Sequence, residues 1–586
     1  NGTVDGIFSD AAATISAGTF TAPNNFTPSV TLPATLYAKI TPSGGACEYV
    51  APFTYGTCTS VATATETMTW TGAISTDWAN ACNWSPNGVP TATNTVFIPD
   101  VANDPVVLNG TTANCKEIIL HSSAILTINN GGVMNINSNS SNGITVSTSA
   151  SIVNNGTLSV SSATYGIDIQ GSGASITNSG MLTITNSSNA GIFFRQNNTV
   201  VTNTSTGIIN LQTPSTGFRY LGGVTGQTVT NQGTINYSGA LYALTMQPSS
   251  IFNNSGTFNI TSGSGIAVQG GTLNNLGCGK ILMSSGTIGN SLAGSLTTNA
   301  GLIVTNYFDN TNGTFNNTGV TNRLPTTGTV THTGNGAVHV RSNAIPIFAY
   351  GGTFNGTVDG IFSDAAATIS AGTFTAPNNF TPSVTLPATL YAKITPSGGA
   401  CEYVVPFTYV APTLATTTIS ICSYNDITFT TTHVPNGIYT LSFAGSGSPQ
   451  DVMVDNNAFT VSDLAAGNYS NFSLDVYGTP ATVAQAISVN TLPNANITGT
   501  TTACSSVSLN ATGGTSYIWS GGATPNSANN TFTNSGTYTV TVSDANNCSA
   551  TANRTITVNT LPNANITGTT TACSSVSLNA TGGTSY

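Results

Sequence analysis

The residues able to do chemistry are few and scattered. Nineteen carboxylates, nine Lys and Arg and four His serve a chain of 586 residues. Asp5 and Asp10, copied as Asp359 and Asp364, lie in the turn-rich VDGIFSD, while Asp100 and Asp104 flank a loop. A hydrolytic carboxylate pair must face each other at a defined separation, and nothing in these spacings places one. His332 and His339 flank the turn TGNG without a third ligand to complete a metal site. Asp544, or Asp451 with Asp455, could meet calcium, but the oxygen-rich loop pattern of such sites is missing. The glycine-rich GGVTGQT has neither a following Lys-Ser/Thr nor a helix to cradle phosphate. The expectation is a non-catalytic chain with no metal and no cofactor.

Polar and aromatic groups concentrate instead on one expected ribbon. A Gly-Ile marker recurs through Ile144, Ile167, Ile192, Phe218, Leu241 and Ile266, which alternation turns inward. The next residues along, Thr145, Asp168, Phe193, Arg219, Tyr242 and Ala267, then face outward. A second outward column reads Ser147, Gln170, Arg195, Leu221, Leu244 and Gln269. Asp168, Gln170, Phe193, Arg195, Arg219, Tyr242 and Gln269 therefore form the candidate binding or inter-chain ribbon. Guanidinium planes, aromatic faces and amide donors suit a glycan or a protein partner.

Repeats supply the elements that position this ribbon. From about residue 124 to 380, segments such as SIVNNGTLSV, SITNSGMLTI and TVTNQGTINY follow one another. Their marker asparagines Asn130, Asn154, Asn178 and Asn203 are 24, 24 and 25 residues apart. Asn299, Asn316, Asn335 and Asn355 continue at shorter spacing, so the coil is expected to taper. Short alternating strands with Asn or Gly corners predict a parallel β-solenoid whose asparagines bond along their own column. Trp70, Trp78 and Trp84 beside Cys82 suit a cap on the first rung, with an aromatic sugar platform as the alternative.

Residues 1–55 recur as 355–409 with one change, Ala51 against Val405, and Val489–Tyr517 is identical to Val558–Tyr586. The chain is expected to be a window of a longer array. Residues 1–55 read as the last rungs and exit segment of a preceding solenoid, 56–120 as a cap and 121–410 as the solenoid with its exit segment. Residues 411–489 and 490–558 read as immunoglobulin-like sandwiches, and 559–586 as the start of another. The fold class is thus all-β.

Only 5% of residues are charged and the net charge is −10, which excludes nucleic acid and argues against anionic membranes. No apolar run is long enough to span a bilayer. Ten cysteines without a C-x-x-C pair point to disulfides and an extracellular compartment. Cys504 and Cys548 bracket Trp519, the order of an immunoglobulin-like bridge. Cys82–Cys115, Cys47–Cys58 and Cys401–Cys422 are the further expected pairs, leaving Cys278 and Cys573 over.

The stretch TACSSVSLNATGGTSYIWSGG…SGTYTVTVSDANNCSATANRTITV resembles the immunoglobulin-like modules of giant surface proteins of gliding bacteria. The W-x-G…DW…NW entry is similar to the capped solenoids of such secreted adhesins and, more narrowly, of grappling-hook filaments. That resemblance implies export, often by the type IX route, tandem arrays and attachment to cell-surface glycans or proteins of a target cell. The combined expectation is a stiff multivalent filament or stalk at the cell surface, able to pack chain against chain into a homo-oligomeric fibre. A β-helix enzyme acting on polysaccharide and an ice-binding solenoid are the alternatives.

Overall fold

A computed structural model describes residues 2–21, 25–30, 34–43, 47–55, 67–139, 142–162, 164–213, 215–322, 330–331, 337–351, 356–396 and 401–585. The expected markers Asn335 and Asn355, and His332 with the turn after it, lie outside these residues. The chain divides into two compact units. One comprises Asn1–Val340, Ala349–Asp359 and Ala392–Val405; the other comprises Arg341–Phe348, Gly360–Tyr391 and Pro406–Tyr586. Strands dominate both, as an all-β fold requires.

In the first unit each solenoid rung gives one strand to each of three parallel sheets, as Ser151–Asn154, Thr157–Ser162 and Tyr165–Ile169 illustrate. In the first two of these sheets alternation buries every second side chain, whereas in Tyr165–Ile169 every residue from Gly166 on is buried. Like residues stack in register along the coil: Ile152 pairs with Ile176, then Val201, Val229, Phe252 and Leu273. These columns merge into one continuous apolar core.

Beside them runs a buried column of amides. Asn154 donates through Nδ2 to Asn178 Oδ1 at 2.7 Å, and the chain of bonds continues through Asn203, Asn231, Asn254, Asn275, Asn299 and Asn317 at 2.7–2.8 Å. The same Nδ2 groups also reach backbone carbonyls of the next corner, such as Ile208 O and Thr234 O. The corner reads Asn-x-Gly at Asn178–Gly180, Asn231–Gly233 and Asn254–Gly256. Glycine is needed there because successive corners stack closely: a Cβ on Gly180 would lie 2.1 Å from Gly156 O. The step along the ladder falls from 24 residues at Asn154–Asn178 to 18 at Asn299–Asn317, so the coil does taper.

Two markers are corrected. Asn154 sits over Ile128, not Asn130, which is exposed at a longer corner. Asn317, not Asn316, continues the ladder; Asn316 pairs with outward Thr298. At the entry, Trp70, Trp78 and Trp84 are buried and meet edge-to-face at centroid distances of 4.9 and 4.7 Å. Trp70 Nε1 donates to Asn103 O and Trp84 Nε1 to Trp78 O. Strand Thr67–Trp70 joins the solenoid in parallel with Thr95–Ile98, and Trp84–Ser85 closes its other edge antiparallel. Buried rings cannot serve as a sugar platform.

Residues 2–55 correct another expectation. They form no rungs but an antiparallel sheet of Gly2–Phe8, Ala34–Pro42 and Tyr49–Tyr55, with a hairpin of Gly18–Thr21 and Asn25–Pro28. The copy repeats that hairpin in the same register, Gly372 opposite Pro382. In the second unit, residues 413–490 form a sandwich of Thr413–Ala415, Ile427–Thr432 and Ala458–Val461 against a larger sheet centred on Gly467–Val476. The next sandwich sets Asn496–Thr498, Val507–Thr512 and Asn529–Phe532 against a four-stranded sheet containing Ser549–Asn559. Trp519 and Phe532 meet in its core at 5.4 Å.

None of the four expected disulfides forms. Cys278 bonds Cys401 and Cys422 bonds Cys548, with Cα separations of 5.4 and 5.5 Å. Cys504 is a free, exposed thiol. It lies opposite Asn559 at the far end of an 11-residue strand that starts beside Cys548. That strand spans about 33 Å, whereas a disulfide needs Cα atoms within about 7 Å. The pairs Cys401–Cys422 and Cys504–Cys548 are thereby replaced. Cys82 is disulfide-bonded while Cys115 is a free thiol in the solenoid core, where burial pushes its ionisation up. Cys47 is free and exposed, and Cys58 lies outside the described residues.

Two measurements check this account. Asn203→Ala strands the amides of Asn178 and Asn231 in the core and should destabilise the solenoid by roughly 2–4 kcal/mol in denaturant unfolding. Asn130→Ala, on an exposed corner, should change it by less than about 0.5 kcal/mol. Unreduced peptide mapping should return Cys278–Cys401 and Cys422–Cys548, while a maleimide labels Cys504 in the native protein and Cys115 only after unfolding. A Cys504–Cys548 peptide would contradict the fold.

Candidate functional site

The ribbon lies on the outer face of the solenoid sheet built from Tyr165–Ile169, Ala190–Phe194, Thr216–Tyr220, Tyr242–Met246, Gly265–Val268, Thr287–Asn290 and Tyr307–Asp309. Asp168, Phe193 and Arg219 stand in register on it, as expected. Beyond Arg219 the expected register fails. Phe218 pairs with Leu244, and the pairing is irregular between Tyr242 and Leu244. Leu244 is therefore the buried residue and Leu241 is exposed, the reverse of the expectation. Thr245 follows Arg219 in its column, and Tyr242 starts a separate one.

The first half of the ribbon closes on itself. Asp168 is fully buried, and its carboxylate accepts Arg195 Nε at 2.7 Å, Gln170 Nε2 at 2.8 Å and Asn142 Nδ2 at 3.0 Å. The bond to Asp168 pushes the Arg195 guanidinium further up, so the cation is held. Arg195 Cζ lies 4.3 Å from the Phe193 ring centroid and Arg219 Cζ lies 5.0 Å from it. Tyr165 stacks on Phe193 at 5.1 Å, Asn189 donates to the Tyr165 hydroxyl at 3.0 Å, and Arg219 Nη1 donates to Asn189 Oδ1. Phe193 is left only 3% exposed. Four rungs, from Asn142 to Arg219, are laced together here, and the groups that could have held a ligand hold one another. Tyr165, Asn142 and Asn189 were missed in the sequence because each precedes its strand's marker and was counted as corner.

The second half is open. Tyr242, Ala267, Gln269, Thr287, Gly289, Tyr307 and Asp309 line a groove of about 510 Å3. Gln247 donates to Gln269 Oε1 at 2.9 Å. Tyr307 and Gly289 were missed because the Gly-Ile marker was followed only to Ile266, where the rungs begin to shorten.

Several of the remaining acids have structural partners. Asp10 accepts the amides of Thr14 and Ile15, and its copy Asp364 accepts those of Thr368 and Ile369. These bonds hold both carboxyls below the ordinary range, led by the Thr14 hydroxyl for Asp10 and the Ile369 amide for Asp364. Asp5 accepts the hydroxyls of Thr3 and Thr41, and Asp104 accepts the amide of Ile125. Asp544 accepts the amides of Asn546 and Cys548 at 2.9 Å, closing a turn. Among the described residues no three His, Cys, Asp or Glu gather as a metal site would need, and no helix is long and apolar enough to cross a membrane.

Residues 69–239, from the capping strand through the closed ribbon, match a family described as a domain of unknown function, DUF8693. No curated protein matches the chain. Among solved structures, the chain is similar to a C-terminal 282-residue fragment of intimin in complex with the translocated intimin receptor's intimin-binding domain, at 20% identity and a TM-score of 0.19. That match covers 26% of this chain and 65% of the fragment, a little under two thirds of its length. Fibronectin(III)-like modules of Clostridium thermocellum CbhA match at 11% identity, covering 25% of this chain and 94% of theirs, with a TM-score of 0.16. Bacteroides ovatus SGBP-B in complex with a mixed-linkage heptasaccharide matches at 13%, covering 36% and 60%, with a TM-score of 0.13.

The closed half of the ribbon makes a prediction of its own. Asp168→Ala leaves a guanidinium and two amides without their acceptor and should cost about 3 kcal/mol in urea unfolding. Gln170→Ala, at an exposed position, should cost under about 1 kcal/mol.

Proposed function

We propose that this chain is a non-catalytic, extracellular, structural and adhesive segment of a cell-surface protein, acting as a stiff multivalent stalk. The observation that carries the reading is the investment in rigidity. A buried amide ladder ties eight successive rungs together, from Asn154 to Asn317. Later in the chain, a disulfide joins one sandwich to the next through Cys422 and Cys548. Disulfides suit an oxidising, extracellular setting. Repeated weak contacts along such a scaffold add avidity without a single tight pocket. Asp10, Asp364 and Asp544 close turns and Asp168 holds Arg195, which fits support rather than turnover.

Beads carrying the folded chain should be retained on target cells under flow, with retention rising steeply with bead loading. Retention no better than that of albumin-coated beads, at every loading and on every cell type tried, would end the adhesive reading. Release of reducing ends from polysaccharide would end the non-catalytic one.

A further inference from the structure

The open half of the ribbon has the construction of a binding groove. Its floor is two outward columns in parallel register: Tyr242, Gly265, Thr287 and Tyr307 in one, Thr245, Ala267, Gly289 and Asp309 in the other. In each column the two middle rungs carry small side chains or none. The tyrosines bound that floor three rungs apart, about 14 Å at the usual strand spacing. They are 38% and 41% exposed, among the larger exposed rings of the solenoid.

The glycines separate scaffold from site. Gly265 has φ +100°, and a Cβ there would lie 2.2 Å from Thr287 O, so the backbone itself demands glycine. Gly289 is different. A Cβ there would meet nothing nearer than Ile266 O at 3.9 Å, and its φ lies outside the left-handed region. A side chain at 289 would fit the coil and project into the groove, and glycine weakens a strand. The scaffold gains nothing from Gly289; the open floor does.

We infer that this groove binds a neutral glycan chain, an inference that rests on the adhesive reading and gives it a ligand class. Two half-exposed tyrosines offer ring faces for the C–H faces of pyranose rings and hydroxyls for their edges. Gln247 holds Gln269 by its carbonyl oxygen, which turns the amide NH2 toward a ligand acceptor. Thr287, Ser264 and Ser291 add hydroxyls. The lining includes Asp309 and no Lys or Arg, so acidic sugars are disfavoured. A volume of about 510 Å3 accommodates a few sugar units of a longer chain.

Native affinity gels test this with the full chain. Migration should be retarded in gels containing a neutral polymer (mixed-linkage β-glucan, xylan or mannan) and unchanged in alginate. Gly289→Leu should weaken retardation at least tenfold with the melting temperature unchanged, and Tyr307→Ala should do the same if the leucine variant fails to fold. Absence of retardation in every neutral gel overturns the groove, and so does retardation that survives both substitutions. Bead retention on cells is read separately, so losing the groove and losing the adhesive reading are distinct results.

Discussion

A buried primary amide must give away its protons and receive one in return, and in a parallel coil the neighbour able to do both is the same residue one rung on. That constraint organises the solenoid. It holds Asn154 through Asn317 in one file, and a slip of a single residue would break the file and turn both an amide and its aliphatic neighbour on the same face out to water. It also brings successive corners within van der Waals contact, which is why glycine follows two positions later at Gly180, Gly233 and Gly256. Rungs can then lengthen or shorten elsewhere, at the outer corners, while the file of amides stays in step. The file has ends: Asn154 Oδ1 and Asn317 Nδ2 are buried without a hydrogen-bond partner among the described residues. Before Asn154 the position is held by Ile128, and apolar packing takes over as far as the tryptophan cap.

The period was legible because the residues that enforce it are chemically alike and recur. The phase was less so. The corner Asn129–Gly132 carries Asn-Asn-Gly like its successor, yet it is longer, so the strand that precedes it ends on Ile128. The doublet Asn316-Asn317 offered the same choice of two, and only the burial of the second resolves it. Register was lost again at Tyr242–Leu244, where an irregular pairing inserts residues that a fixed spacing cannot foresee. The antiparallel sheet of residues 2–55 was misread because alternation reports a strand and not its partner's direction. Disulfides were misread for a related reason. The order Cys, Trp, Cys matched a known bridge, but order is silent on the length of the strand that separates Cys504 from Cys548.

The ribbon shows how far composition goes in finding a site. Arginines, aromatics and amides gathered on one face are what a ligand would need, and equally what the protein needs to satisfy a buried carboxylate. Asp168 decides between the two: once it is fully covered, Arg195, Gln170 and Asn142 are committed to it. The open site lies a few rungs on, among residues that look unremarkable in sequence, since small side chains at 267 and 289 signal nothing until the walls around them are known. The charge-rich region was conspicuous and the groove beside it was not.

The bridge between Cys422 and Cys548 also determines how the chain carries a load. Tension entering the first sandwich at Cys422 passes straight to Cys548 through two sulfur atoms, and the residues between them, a separation of 126, are bypassed. Stretched out, that segment would add about 400 Å of contour length. With the bridge intact, this extension is covalently forbidden however hard the strands are pulled. Between those two cysteines the chain is inextensible until the sulfur–sulfur bond breaks, and only strands outside them, such as Thr413–Ala415 and Ser549–Asn559, can be drawn out by unfolding.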